Sequence, residues 1–485
     1  MGAPLKVLMI CAHEPTLDPR IRWEAEAGAR RFEVTVLGFN RPDGSCRAVE
    51  VRDGYKTIRL QQSEVSSLYY FWRLKDILPR RLLVWGAVLA LTLLPMLVIA
   101  ELGLRLSYRA IRRSIALLSE SLVLSLALRP MNRRLGGMRG LLLARVHYIL
   151  AALRVQFAPA VSAFLNYLRQ SSYEPDVIHC NDLDTLLVGV LAKKRYGCRL
   201  IYDAHEFYPH SDPSGRWLDI AFFSMLERVL IRHADAVVTV NPPLADAIRE
   251  AYRLAEVHSV ANAEPWTGLR LRPVGGQMDR LAAGRRKFLF QGRFTPGRGI
   301  DELIAAWAKV DSTRAALFLR GPDNMWRRNA MTLATDLGLL DYGVYFLDAV
   351  TEDQLIAAAA EADVGIIPYR PLIINDRLCC PNKLSQYLHA GLMVVANELT
   401  FVKSLLAEAQ AGLTYDSARL DSLVEVVRQI VENPELLRHN QENALRFARE
   451  RFNWQIEGEK LYKLYYRPEQ AVEALREPII APAAQ

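Results

Sequence analysis

A chain of 485 residues, 51% hydrophobic and 24% charged, is too long for one hydrophobic core and too apolar to be disordered, so it reads as two or three globular domains. Its net charge of +8 is not a property of the body: from Arg80 to Arg154 twelve arginines stand against only Glu101 and Glu120, which leaves the remainder slightly acidic. No lysine accompanies those arginines, and they alternate with Leu, Ile, Val and Ala, which excludes a general nucleic-acid surface.

In chain order, residues 7–13 (VLMICAH) predict a first buried strand, 19–31 a helix and 32–39 (FEVTVLGF) a second strand. Lys6 leads straight into the first strand, with no signal peptide before it. A different pattern begins near residue 70. Residues 82–100 (LLVWGAVLALTLLPMLVIA) carry no charge and as a helix would extend ~28 Å, about one hydrocarbon core. If this run and the apolar stretch 114–128 both spanned a membrane, Arg105, Arg109, Arg112 and Arg113 would lie outside, against the positive-inside rule. A monotopic hairpin kinked at Pro95 avoids this, with residues 105–154 as amphipathic helices whose arginines lie at the phosphate level of an anionic membrane surface. The expected location is therefore the cytoplasmic face of the inner membrane.

Residues 155–170 predict an amphipathic helix leading back into the fold. Strand and helix then alternate through 176–180, 184–196, 199–206, 218–233, 236–240, 242–252 and 257–262, the pattern of a parallel, doubly wound sheet. Residues 265–286 read as a linker. The alternation restarts at Lys287 with strands at 288–292, 315–321, 344–350, 364–369 and 393–397, and a final helix running to about Phe452. Neither half contains GxGxxG. Six cysteines (Cys11, Cys46, Cys180, Cys198, Cys379 and Cys380) show no CxxC pair or metal spacing, which suits reduced, buried thiols.

Two turns stand out. Residues 288–320 place Gly292, Arg293, Gly297, Arg298 and Gly299 between a strand and a helix, and residues 361–397 place Asn382 and Lys383 behind Pro381 at the start of another. Helix N-termini carry free N–H groups and a positive dipole end, so two of them with adjacent cations form a seat for a diphosphate. Asp182 and Asp184 have metal-site spacing, but a structural loop role fits them better, and no metal site is expected.

GRFTPGRGIDELI (292–304) resembles the phosphate-binding segment of the retaining family 4 glycosyltransferases, and PNKLSQYLHAGLMVVAN (381–397) is similar to that family's PNKLFEYMAAGLPVVAS segment. PDVIHCNDLDTL (175–186), LIYDAHEFYP (200–209) and ADAVVTVNPPLADAI (234–248) resemble its strand-end segments. The resemblance covers roughly residues 5–60 and 173–467. It implies an α/β fold of GT-B architecture, with two Rossmann-like domains facing a cleft. The N-terminal acceptor domain would be 1–70 with 171–270, interrupted by a helical membrane-associating insertion at 71–170. The C-terminal donor domain would be 287–452, followed by a terminal helix at 453–470 that crosses back and a disordered tail at 471–485.

The resemblance also implies roles. Arg293, Arg298, Gly292, Asn382 and Lys383 would hold the diphosphate of a UDP- or GDP-sugar, with no cofactor or metal required. Gln386 stands where the family has a glutamate for the ribose, and Leu378 where it has another. His205 would face the transferred sugar, while Asp18, Arg20, Asn181 and Glu206 would lie toward a lipid or lipid-linked acceptor. The implied activity is transfer of a sugar to a membrane-embedded acceptor in cell-envelope polysaccharide or glycolipid synthesis. A sugar-nucleotide 2-epimerase and a non-catalytic scaffold subunit are the alternatives, the latter motivated by the two missing glutamates.

Overall fold

The computed structural model describes residues 3–63, 65–77, 137–211, 216–268 and 275–467. The uncharged run 82–100, its proposed hairpin and the tail 471–485 lie outside them. The chain divides into two compact units, residues 1–204 with 214–237, and residues 205–213 with 238–485. Two sheets form, as the alternation predicts. The first has eight strands: β1 (Lys6–Ile10), β2 (Glu33–Phe39), β3 (Val49–Arg52), β4 (Tyr55–Leu60), β5 (Val177–Asn181), β6 (Arg199–Ala204), β7 (Ala236–Thr239) and β8 (His258–Ser259). Their order is β3-β4-β2-β1-β5-β6-β7-β8. The pairs β4–β2, β2–β1, β1–β5, β5–β6 and β7–β8 are parallel, and β3 closes the edge as an antiparallel hairpin on β4.

The second sheet is all parallel. It contains β9 (Arg286–Gln291), β10 (Ala315–Arg320), β11 (Val344–Leu347), β12 (Val364–Ile367), β13 (Met393–Asn397) and β14 (Gly412–Tyr415), in the order β11-β10-β9-β12-β13-β14. Its central strands are buried on both faces, which is why they read as continuous apolar runs such as AALFLR, buried throughout. Crossover connections put β9 and β12 side by side although three helices and two strands separate them in sequence. Their carboxyl ends carry the two turns singled out above, at the position where open α/β sheets bind ligands.

Three expectations are corrected. The single helix expected after β13 is instead helix Thr400–Ala409, strand β14, and helices Leu420–Glu432 and Pro434–Glu450. Gln410 turns left-handed (φ 50°) at the first break. Gly412 then passes so close to β13 that a Cβ there would stand 2.0 Å from the Val394 oxygen. The expected linker holds a short helix, Gln277–Ala282, with Met278 and Ala282 buried at i, i+4. A further short helix, Ile374–Leu378, lies between β12 and β13.

The third correction concerns the arginines. Helix Gly137–Ala152 runs through a π turn at Leu153–Phe157 into helix Ala158–Gln170. The stretch Arg145–Gln170 is the one among the described residues long and apolar enough to cross a membrane, yet 56% of its most apolar window is buried. Phe157 packs between Tyr70 and Phe223, and Phe164 stacks on Phe39 of β2. Arg145 and Arg154, expected at a membrane surface, are buried at 8% exposure, and Arg145 Nη1 lies 3.3 Å from Asp219 Oδ2. A cation on an otherwise apolar helix needs a buried carboxylate partner, and Asp219 supplies it from 74 residues away.

Candidate active site

In the first unit, helix Pro19–Gly28 begins at Asp18, whose Oδ1 accepts from the Arg20 amide at 2.9 Å. Pro19 at the first helical position and Asp18 as cap fix this start. Asp18 therefore has a capping role, where sequence reasoning pointed it toward an acceptor. Arg20 lies in the first turn of this helix and is 1% exposed. Its guanidinium reaches Glu24 Oε1 at 3.0 Å and Asp203 Oδ2 at 2.7 Å. His179 Nε2 of β5 lies 3.5 Å from Asp203 Oδ2 and 3.8 Å from Glu24 Oε2. The neighbouring carboxylates hold the Arg20 guanidinium pKa above its usual value against the opposing effect of burial.

Glu24, His179 and Asp203 have the donor types and spacing of a metal site, with ligand atoms all within 4.8 Å. The Arg20 guanidinium already supplies the positive charge that the two carboxylates require, so the group is a buried ion-pair network. Asn181, also expected at the acceptor, is 1% exposed, and its amide donates to the Ile10 oxygen at 3.1 Å, tying β5 to β1. Asp184 accepts from Gln156 at 2.7 Å, in keeping with a structural part.

In the second unit the two turns meet. β9 ends at Gln291, and the chain passes through Gly292 (φ 146°), Gly297 (φ 84°) and Gly299 (φ 69°) into helix Ile300–Trp307. A Cβ on Gly299 would stand 1.9 Å from the Pro368 oxygen, so glycine is required by space as well as by φ. This close approach lays Arg298 against the strand-end residue Tyr369, its Cζ 4.1 Å from the ring centroid. Lys383, at the start of helix Asn382–His389, puts its Nζ 4.3 Å from the same centroid and 5.2 Å from that of Phe290. The Lys383 ammonium also donates to the Tyr369 hydroxyl. Neither Arg298 nor Lys383 has an ion pair with any described residue. Arg293, expected beside Arg298 at the diphosphate, is exposed, whereas Arg298 is half-buried.

Burial pushes the Lys383 pKa below the usual lysine range, and the Arg298 charge pushes the same way. Lys383 thus loses its positive charge at a lower pH than an exposed lysine does. Affinity for an anion bound here should fall as pH rises, beginning at a lower pH than an exposed lysine would set. Calorimetric titration with UDP at increasing pH measures it; a pH-independent affinity would show that Lys383 does not contact the ligand. Burial also raises the Asp376 carboxyl pKa, against an opposing effect of Arg298.

Gln386 does not face open space. It is buried, and its Nε2 donates to Glu264 Oε1 at 3.4 Å, while Ser385 Oγ accepts from the Glu264 amide at 2.7 Å. His205 is half-buried. Beside it, Glu206 Oε2 accepts from Asn375 Nδ2 at 3.5 Å, and Asn375 Oδ1 accepts from the Phe207 amide at 2.8 Å. Glu206 is thus tied to helix Ile374–Leu378, where an acceptor contact was expected. Sequence reasoning missed Tyr369, Glu264 and Asn375. Tyr369 had a readable signal, an aromatic at the carboxyl end of an apolar strand; Glu264 and Asn375 had none, because their partners lie far off in sequence.

The two halves match two family signatures, residues 17–263 the "Glycosyl transferase 4-like domain" and residues 285–433 "Glycosyl transferases group 1". The chain belongs to the glycosyl transferase 4-like family. The glycosyltransferase is similar in fold to sucrose-phosphate synthase from Thermosynechococcus elongatus, with TM-score 0.65, 16% identity, and coverage of 97% of this chain and 100% of that one. It is similar to Anabaena HepE in complex with UDP and glucose (TM-score 0.61, 14% identity, 95% and 98% covered). It is also similar to WaaG, a glycosyltransferase involved in lipopolysaccharide biosynthesis (TM-score 0.55, 14% identity, 97% and 99% covered). These likenesses establish the GT-B architecture. A search of curated proteins finds no match.

Proposed function

We propose that the glycosyltransferase takes its sugar from a nucleoside-diphosphate donor and passes it, with retention, to a lipid or lipid-linked acceptor. One observation carries the donor half: Arg298 and Lys383 converge on Tyr369, and neither is in an ion pair among the described residues. Two unpaired cations beside two helix N-termini fit a bound diphosphate. As the glycosidic bond breaks, negative charge grows on the leaving diphosphate, and fixed cations stabilise it there. His205 is the residue assigned to the sugar side. The UDP-and-glucose complex of HepE supports this reading by similarity of fold.

The acceptor half rests on the sequence. The uncharged run 82–100 and its arginine-rich continuation suit contact with the cytoplasmic face of a membrane. The lipopolysaccharide role in the WaaG description is in keeping with an envelope acceptor.

Labelled UDP- and GDP-sugars incubated with the full chain and total membrane lipids test the proposal. The expected result is label in the lipid fraction from one donor class, with the anomeric configuration of the donor. EDTA should leave the rate unchanged, since the two cations supply what a metal ion would supply elsewhere. Complete, Mg²⁺-reversible inhibition would overturn the leaving-group chemistry. Nucleotide binding with neither transfer nor epimerisation would instead favour a scaffold role.

A further inference from the structure

The first unit contains a second cationic site, remote in sequence from the turns above. Helices Ser67–Leu74, Ala158–Gln170 and Leu183–Tyr196 line an open cleft of ≈ 250 Å³. Its floor is apolar, formed by Leu165, Leu168, Leu191 and Ala192. Four cations, Arg73, Arg169, Lys194 and Arg195, surround it against a single carboxylate, Asp76. That carboxylate is engaged by Arg73 at 3.1 Å, and the Asp76 main-chain carbonyl accepts from Lys194 at 2.7 Å. Arg169 and Arg195 have no ion pair among the described residues; Arg195 lies 5.3 Å over the Tyr196 ring. Arg73 Nε is buried with no hydrogen-bond partner among them. Three positive charges are therefore left over around a solvent-open cleft, a setting that favours a phosphate ester.

The surroundings narrow the source of that phosphate. Trp72, next to Arg73, is 50% exposed, with Arg73 Cζ and Lys75 Nζ 5.3 Å and 4.8 Å from its ring. An exposed tryptophan flanked by cations is the arrangement favoured at a membrane–water interface, where the ring is half apolar and half wet. A free phosphate ion would need the cations but not the leucine floor.

We infer that this cleft seats the phosphate of an anionic phospholipid headgroup and holds the first unit against the bilayer surface. The inference rests on the membrane-acceptor reading only for the choice of a lipid as the source, and its readout is binding rather than turnover.

The test uses the full chain and vesicles of phosphatidylcholine with or without phosphatidylglycerol. The quantity compared is the preference for anionic over neutral vesicles, so that apolar insertion cancels. Arg169→Gln with Arg195→Gln should lower that preference about fivefold for each cation removed. Arg169→Glu with Arg195→Glu should lower it further than the glutamine pair does. Unchanged UDP affinity in both variants confirms folding independently of lipid. An unchanged vesicle preference in both would overturn the inference. A parallel arm replaces chloride by inorganic phosphate at constant ionic strength. If phosphate strips the unsubstituted protein from anionic vesicles and binds it more tightly than the variants, the ligand is a free phosphate and the lipid assignment fails.

Discussion

Lys383→Met should remove most of the affinity for the nucleotide and slow sugar transfer further still. Methionine keeps much of the stem's volume between Tyr369 and Phe290 while deleting the ammonium, so the fold should persist. A charge-assisted contact to a buried anion is worth about 1.5–3 kcal/mol, or roughly 10- to 150-fold in UDP affinity. Turnover should fall at least as much, because the leaving diphosphate gains charge in the transition state. Arg298→Ala should act in the same direction with a smaller effect, since Arg298 is only half-buried and its charge is more screened. UDP calorimetry and donor kcat/KM on both variants measure this. Wild-type affinity in both would place the diphosphate elsewhere.

The largest effect on stability is expected at Arg20. Arg20→Met strands Glu24 and Asp203 as buried carboxylates beside His179, and breaking a buried ion pair by removing one partner costs about 3–5 kcal/mol. For a unit of this size that lowers Tm by about 10 °C. The experiment separates two roles cleanly. A residue touching the acceptor would leave Tm unchanged and raise the acceptor KM, whereas the buried network predicts a lower Tm with nucleotide binding retained. A wild-type melting profile for Arg20→Met would refute the structural role.

These two residues differ in how far the sequence could announce them. Lys383 stands at the start of a helix behind proline, and its cationic partner follows a glycine at positive φ. Both signals are local, carried by neighbours in the chain, so the turns and the cations in them were legible. Arg20 looked equally available, in the first turn of a helix after a loop. Nothing nearby says that its partner is Asp203, 183 residues on.

The same division runs through the whole molecule. Strand and helix alternation is a property of short windows, because an apolar run bounded by Gly or Pro commits its segment whatever the rest does; the sequence alone therefore determined two Rossmann-like halves and the positions of their turns. The break at Gln410–Gly412, the burial of Arg145 against Asp219 and the turning of Gln386 toward Glu264 were decided by tertiary structure. Each depends on which distant backbone or carboxylate arrives beside it. Burying a charge or an amide is tolerable only where such a partner waits, and no window of sequence contains that partner.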